Sequence, residues 1–134
     1  MTTTVRGLRR ALVAAGIIGA TAVGTAQAPG FTRTELQRAD LSIQGREVVT
    51  VMAVIPEGVA TGRHTHPGEE VAYLAEGSIV LEIEGQPTKT IKAGEAFTVP
   101  AGRVHNARNE GAATARVVAN YIIEKGKPVA TPVP

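Results

Sequence analysis

The feature that most restricts this chain is its punctuation. Glycine and proline interrupt it about every 8–12 residues, and short runs rich in β-branched residues lie between the breaks. The runs are Glu47–Ile55 (EVVTVMAVI), Val71–Ala75, Ser78–Glu84 (SIVLEIE), Thr88–Lys92, Ala96–Val99 and Thr114–Glu124 (TARVVANYIIE). Turn signals separate them at Pro56-Glu57-Gly58, Pro67-Gly68, Glu76-Gly77, Glu84-Gly85, Ala93-Gly94 and Pro100-Ala101-Gly102. Ser78–Glu84 alternates apolar and polar residues, as a strand with one buried face must. Short strands at this spacing predict an all-β sandwich or barrel. Arg33–Asp40 reads equally as an early strand or a turn segment. Lys125–Pro134 holds three prolines and is expected to lie extended over the surface, because proline fixes φ and lacks an N–H.

At 134 residues the chain has room for one domain. Its N-terminus reads as an export signal over residues 1–26. Met1–Arg10 is short and basic, and Ala11–Ala26 (ALVAAGIIGATAVGTA) is apolar but shorter than the roughly 20 residues a membrane span requires. Cleavage falls near 26–28. Ala26-Gln27-Ala28 satisfies the small-x-small rule but places Pro29 after the cut, and Gly24-Thr25-Ala26 is the competing site. Arg9-Arg10 resembles a twin-arginine signal loosely, so the general and the folded-export routes both stay open. Residues 27–134 then form a single exported domain, periplasmic or secreted, with 125–134 as its tail.

Removing that segment changes the charge argument. Residues 1–28 hold Arg6, Arg9 and Arg10 and no acid; the remainder carries 11 basic and 12 acidic side chains, a net of −1 where the whole chain has +2. No basic patch argues for nucleic acid or, after cleavage, for a membrane surface. Aromatics make up 3% with no Trp, too few for base-stacking platforms. Cysteine is absent, which excludes disulfides, thiolate metal sites and a Cys nucleophile together.

The chemistry gathers on three histidines, the whole complement of the chain. His64-Thr65-His66 puts two imidazoles on one face of a strand, able to converge on a point about 2 Å from each. Glu70 follows the Pro67-Gly68 turn and can add a carboxylate from the neighbouring strand. His105 lies far along the chain, after Pro100-Ala101-Gly102, and only the fold can return it to the others. Imidazoles plus one carboxylate suit a first-row divalent ion, and Mn, Fe, Ni, Cu and Zn all accept them. With one Glu the site carries net +1 around M²⁺, which favours an anionic ligand or a bound water of lowered pKa.

The spacing around these residues resembles the cupin superfamily. Gly58, five residues, His64-x-His66, three residues, Glu70, six residues and Gly77 match its first motif; Gly94, five residues, Pro100-x-Gly102, two residues, His105, three residues and Asn109 match its second. The short spacer, Gln86 included, is similar to that of small single-domain bacterial cupins. The resemblance implies a jelly-roll-like barrel of two antiparallel sheets with His64, His66, Glu70 and His105 as metal ligands. It selects Glu70 over the rival Glu69. It also makes Gly58, Gly77, Gly94, Pro100 and Gly102 turn formers and Asn109 a turn tie.

Neighbouring residues remain open. Arg63 and Arg103 flank the ligands, as anion binders or as solvated turn residues. Tyr73 has the opposite parity to Glu70 and is expected to face away, whereas Tyr121 is undecided. Met52 and Phe97 line the pocket or fill the core.

Three functions fit. The first is a mononuclear metal-dependent enzyme on a small organic molecule, with dioxygenase-like or related lyase or isomerase chemistry and Glu70 as ligand and base. The second is a non-catalytic periplasmic protein binding a metal and a small ligand. The third is an interaction module. Small cupins commonly pair through their sheets, and open edge strands give a homodimer a physical motive.

Overall fold

The computed structural model describes residues 29–134, so the expected signal segment 1–26 lies outside the described residues. Ten strands occur in it: β1 (Thr32–Asp40), β2 (Arg46–Ile55), β3 (His64–Thr65), β4 (Glu69–Glu76), β5 (Ser78–Ile83), β6 (Lys89–Lys92), β7 (Ala96–Val99), β8 (His105–Arg108), β9 (Ala115–Glu124) and β10 (Thr131–Pro132). No helix occurs among the described residues. The strands form two five-stranded antiparallel sheets, β1-β2-β9-β4-β7 and β10-β3-β8-β5-β6. The fold is therefore all-β, a small barrel of two antiparallel sheets.

Period-2 alternation builds the interior. β2 turns Val49, Val51, Ala53 and Ile55 inward, and β9 answers with Ala115, Val117, Ala119, Tyr121 and Ile123. From the other sheet, Ile79, Leu81, Ile83, Ile91 and Ala107 close the core. Alanines concentrate on the first sheet, where Ala72 lies directly across from Ala119. Short side chains there leave space between the sheets for larger groups to reach inward.

Arg33–Asp40, left open by the sequence, is a full edge strand. Arg33 pairs with Ala53 and so shares its inward parity. A bulge between Glu35 and Gln37 then shifts the register, and Leu36 within it is exposed. The C-terminal tail is extended but does more than cover the surface. Thr131 and Pro132 pair with β3, and Ala130 is buried.

Two glycines are demanded by geometry. Gly77 turns β4 into β5 at φ 78°, in the left-handed region that disfavours a side chain. Gly68 acts by close approach, since a Cβ there would sit 1.8 Å from the Ile122 carbonyl oxygen of β9. This contact sets the start of β4, and with it Glu70, hard against the central strand. Asn109 ties the other end: its amide donates to the carbonyls of Ile55 and Ala113, 2.8 Å each, and its oxygen accepts from Gly111 N–H at 3.0 Å.

Candidate metal centre

His64 of β3 and His105 of β8 are cross-strand partners in one sheet, which brings residues 41 positions apart side by side. His66 follows β3 as the chain crosses to the other sheet. There Glu70 of β4 sits between Val99 of β7 and Tyr121 of β9. All four side chains are buried. The imidazole centroids are 4.2 Å apart for His64 and His105, and 4.8 Å for each of the other two pairs. Glu70 Oε2 lies 3.1 Å from His66 Nε2 and 3.2 Å from His105 Nε2. Glu69 is exposed on the opposite face.

The backbone decides which nitrogens face inward as electron-pair donors. His64 Nδ1 lies 2.7 Å from the Gly62 carbonyl, His66 Nδ1 2.6 Å from that of Val129, and His105 Nδ1 3.0 Å from that of Arg103. A carbonyl only accepts, so each Nδ1 carries the proton and each neutral ring keeps a lone pair on Nε2. His66 Nε2 and His105 Nε2 are buried without a hydrogen-bond partner: they approach the carboxylate closely but without the alignment a hydrogen bond needs. Lone pairs facing a carboxylate oxygen at about 3 Å repel one another unless a cation lies among them. The three buried histidines can thus hold a metal ion, and the donor set fits one.

The electrostatics hold His64 neutral and Glu70 ionised. Burial lowers the His64 imidazole to about 3, reinforced by His105 and opposed by the Gly62 carbonyl. Burial alone would raise the Glu70 carboxyl, but hydrogen bonding and positive charge from the His105 and His66 side outweigh it and hold it at about 2, a role that a bound cation would take when the rings are neutral. The Tyr121 phenol is pushed up, by burial first and by the Glu70 charge second, and keeps its proton through the neutral range. Its ring packs 4.4 Å from that of His66.

Beside the cluster is a cavity of ≈ 30 Å³ walled by Phe31, Ile55, Leu81, Phe97 and Val117. Its volume admits about two waters. Phe97 therefore lines the cavity, while Met52 sits half-buried with the opposite parity to Val51 and Ala53. Tyr73 is exposed on the outer face of its sheet, and Tyr121 points inward. Arg63 and Arg103 are exposed, and Arg63 donates to the C-terminal Pro134 carbonyl. The cation at the cavity is another one, Arg33, whose Nη2 donates to His64 Nε2 at 3.0 Å. Sequence reasoning missed it. The available signal was parity with the apolar Phe31, two residues earlier and buried. The Val129 carbonyl was missed as well, and no side-chain identity marks it.

A two-sheet barrel with imidazoles and a carboxylate converging at its centre defines the cupin class. The cupin domain family model matches residues 50–121, more than half of the chain, and the chain belongs to that family. Over 63 residues it is 40% identical to germin-like protein subfamily 2 member 2 of Arabidopsis thaliana, covering 43% of this chain and 29% of that one. Over 77 residues it is 32% identical to the HTH-type transcriptional regulator PuuR of Escherichia coli, covering 57% and 41%. The chain thus spans less than half the length of these curated relatives. Among solved structures, the polyketide cyclase RemF of Streptomyces resistomycificus superposes with a TM-score of 0.63 at 25% identity, over 83% of this chain and 76% of that one.

Proposed function

We propose that this cupin is a mononuclear metal-dependent enzyme acting on a small organic molecule, with one divalent transition metal ion held by His64, His66, Glu70 and His105. The observation that carries the reading is the convergence of His66 Nε2 and His105 Nε2, both without a hydrogen-bond partner, on the buried Glu70 carboxylate beside a small apolar cavity. A bound ion would supply a Lewis-acid centre with a coordination position left for a ligand.

The chain's own residues do the rest. Gly62, Val129 and Arg103 carbonyls orient the rings, and the apolar wall limits water to about two molecules. Glu70, ionised above about pH 2, accepts a proton from a substrate or ligand atom, and the Tyr121 phenol retains one to donate. Lyase, isomerase or dioxygenase-like chemistry is compatible with such a pair, and the likeness to a polyketide cyclase supports an enzymatic use of the barrel. A second reading, a metal protein that binds a small ligand without turnover, is favoured by one observation. The cavity wall offers no further carboxylate or imidazole to act as a separate base.

Elemental analysis of untagged protein tests the site. His105→Ala is expected to lower metal content, and unchanged occupancy would remove the ligand assignment. Glu70→Gln separates the two readings: abolished turnover in a folded barrel supports the enzyme, whereas ligand-dependent melting with no product in the wild type supports the binder.

The setting we infer is periplasmic or secreted, after cleavage behind Ala26 or Ala28. N-terminal sequencing of the exported protein should begin at Gln27 or Pro29. A homodimer is supported by the outer face of the β1-β2-β9-β4-β7 sheet, where Val71 and Tyr73 are 41% and 47% exposed beside the half-buried Val118 and Ile122. Light scattering giving a monomer mass would overturn that pairing.

A further inference from the structure

We propose that Arg33 is the anion receptor of this cavity and that the ligand it receives is a small carboxylate. The inference rests on the metal reading above and adds the ligand class.

Arg33 reaches the site from an edge strand that contributes no metal donor. Its Nη2 lies on His64 Nε2 at 3.0 Å, and its Nε is buried with no partner. Its guanidinium carbon stands 4.8 Å from the centroid of the Phe31 ring, so an aromatic face fixes its plane. Among the described residues no carboxylate lies within 4.0 Å of it, although Arg38 and Arg108 each have two and Arg116 has one. A guanidinium without a counter-ion, half-buried beside an apolar cavity, is costly unless something anionic joins it.

The two donors also share geometry. Nε and Nη2 lie along one edge of the guanidinium, the edge that takes a carboxylate side-on through two parallel N–H···O bonds. Nη2 now uses a lone pair that a metal ion on His64 would take, so metal loading frees this edge entirely. The charge then points the same way. A divalent ion, Glu70 and Arg33 sum to +2 in a buried site, which an anion reduces. The cavity of ≈ 30 Å³ limits that anion to a small one, and Phe31, Leu81, Phe97 and Val117 give it an apolar wall. Arg63 and Arg103, exposed on the surface, offer no such enclosure.

The test is a titration of cobalt(II)-loaded protein with acetate and propionate, followed by calorimetry and visible absorption, with acetamide as the uncharged control. The wild type is expected to bind both carboxylates and not acetamide. Arg33→Gln, at the same cobalt content and an unchanged circular dichroism spectrum, should bind them about 10- to 100-fold more weakly. Arg33→Lys, which keeps the charge and loses the fork, should fall between. Equal affinity in the wild type and Arg33→Gln, or no carboxylate binding by the wild type, overturns the proposal. Failure of the metal reading shows separately, as no cobalt uptake by the wild type. In that case the metal-free protein is melted in increasing acetate. A rise in Tm that Arg33→Gln abolishes supports the receptor, and an equal rise or none overturns it.

Discussion

Removing the C-terminal tail from residue 128 onward should weaken metal binding without dismantling the barrel. The reason lies in one hydrogen bond. His66 Nδ1 is 2.6 Å from the Val129 carbonyl, and His66 is 2% exposed. Without that carbonyl, the buried Nδ1–H has lost its acceptor, at a cost of about 1–3 kcal/mol. The ring escapes the cost by moving its proton to Nε2, where Glu70 Oε2 waits at 3.1 Å. The proton then occupies the place of the ion, and metal binding must first break a hydrogen bond to a charged acceptor, again worth about 1.5–3 kcal/mol. Either route weakens metal affinity by about 10- to 100-fold, in line with losses seen when partners of ligating histidines are removed. A water replacing the carbonyl would hold the effect near the lower end. The assay is competition for cobalt(II) or zinc against a chelator of known affinity, on truncated and full-length protein. Circular dichroism and thermal melting establish that the truncated barrel is folded. Unchanged affinity in a folded truncation would refute the idea that the tail sets the His66 tautomer.

Three further outcomes follow from the same geometry. Gly68→Ala places a methyl 1.8 Å from the Ile122 carbonyl, so β4 must move away from β9. A loss of about 3 kcal/mol and a fall in Tm of more than about 10 °C are expected, and a shift within 2 °C, about 0.5 kcal/mol, would show that the contact is not close in solution. Metal-free protein should lose stability in acid. His64 is held at about 3 against an ordinary 6.5, so the unfolded chain takes up that proton first as pH falls. Its contribution is full above about 6.5 and is lost from there down to about 3; Glu70, at about 2 against 4.5, adds a loss of the same sign between 4.5 and 2. His64→Gln should flatten the first window in urea midpoints measured between pH 6.5 and 4, and curves parallel to wild type would contradict the burial argument. Asn109→Ala leaves the Ile55 and Ala113 carbonyls without the amide that both now share, and about 2–3 kcal/mol should be lost without change in metal stoichiometry.

Alternation and punctuation are local properties, and so the strands from Glu47 to Glu124 could be read along the chain. Each inward residue repeats every second position, and glycine or proline stands where the direction reverses. The grouping of His64, His66, Glu70 and His105 was legible only through the resemblance to the two cupin motifs, since nothing local returns His105 to the others. Three things were not. Strands β3 and β8 are two and four residues long, too short for a period to register, and exist through pairing with each other and their neighbours. Parity states which residues share a face, not which face is the interior, so Tyr121 stayed undecided and Arg33 went unread until Ala53 was seen opposite it. The Val129 carbonyl is the third. Every residue carries the same carbonyl, and only the docking of β10 on β3 selects the one that meets His66, 63 positions away. Sequence determined the donors, through side-chain chemistry and local period. Tertiary structure decided their protonation and their counter-charges, since these depend on backbone and cross-sheet contacts that no local pattern records.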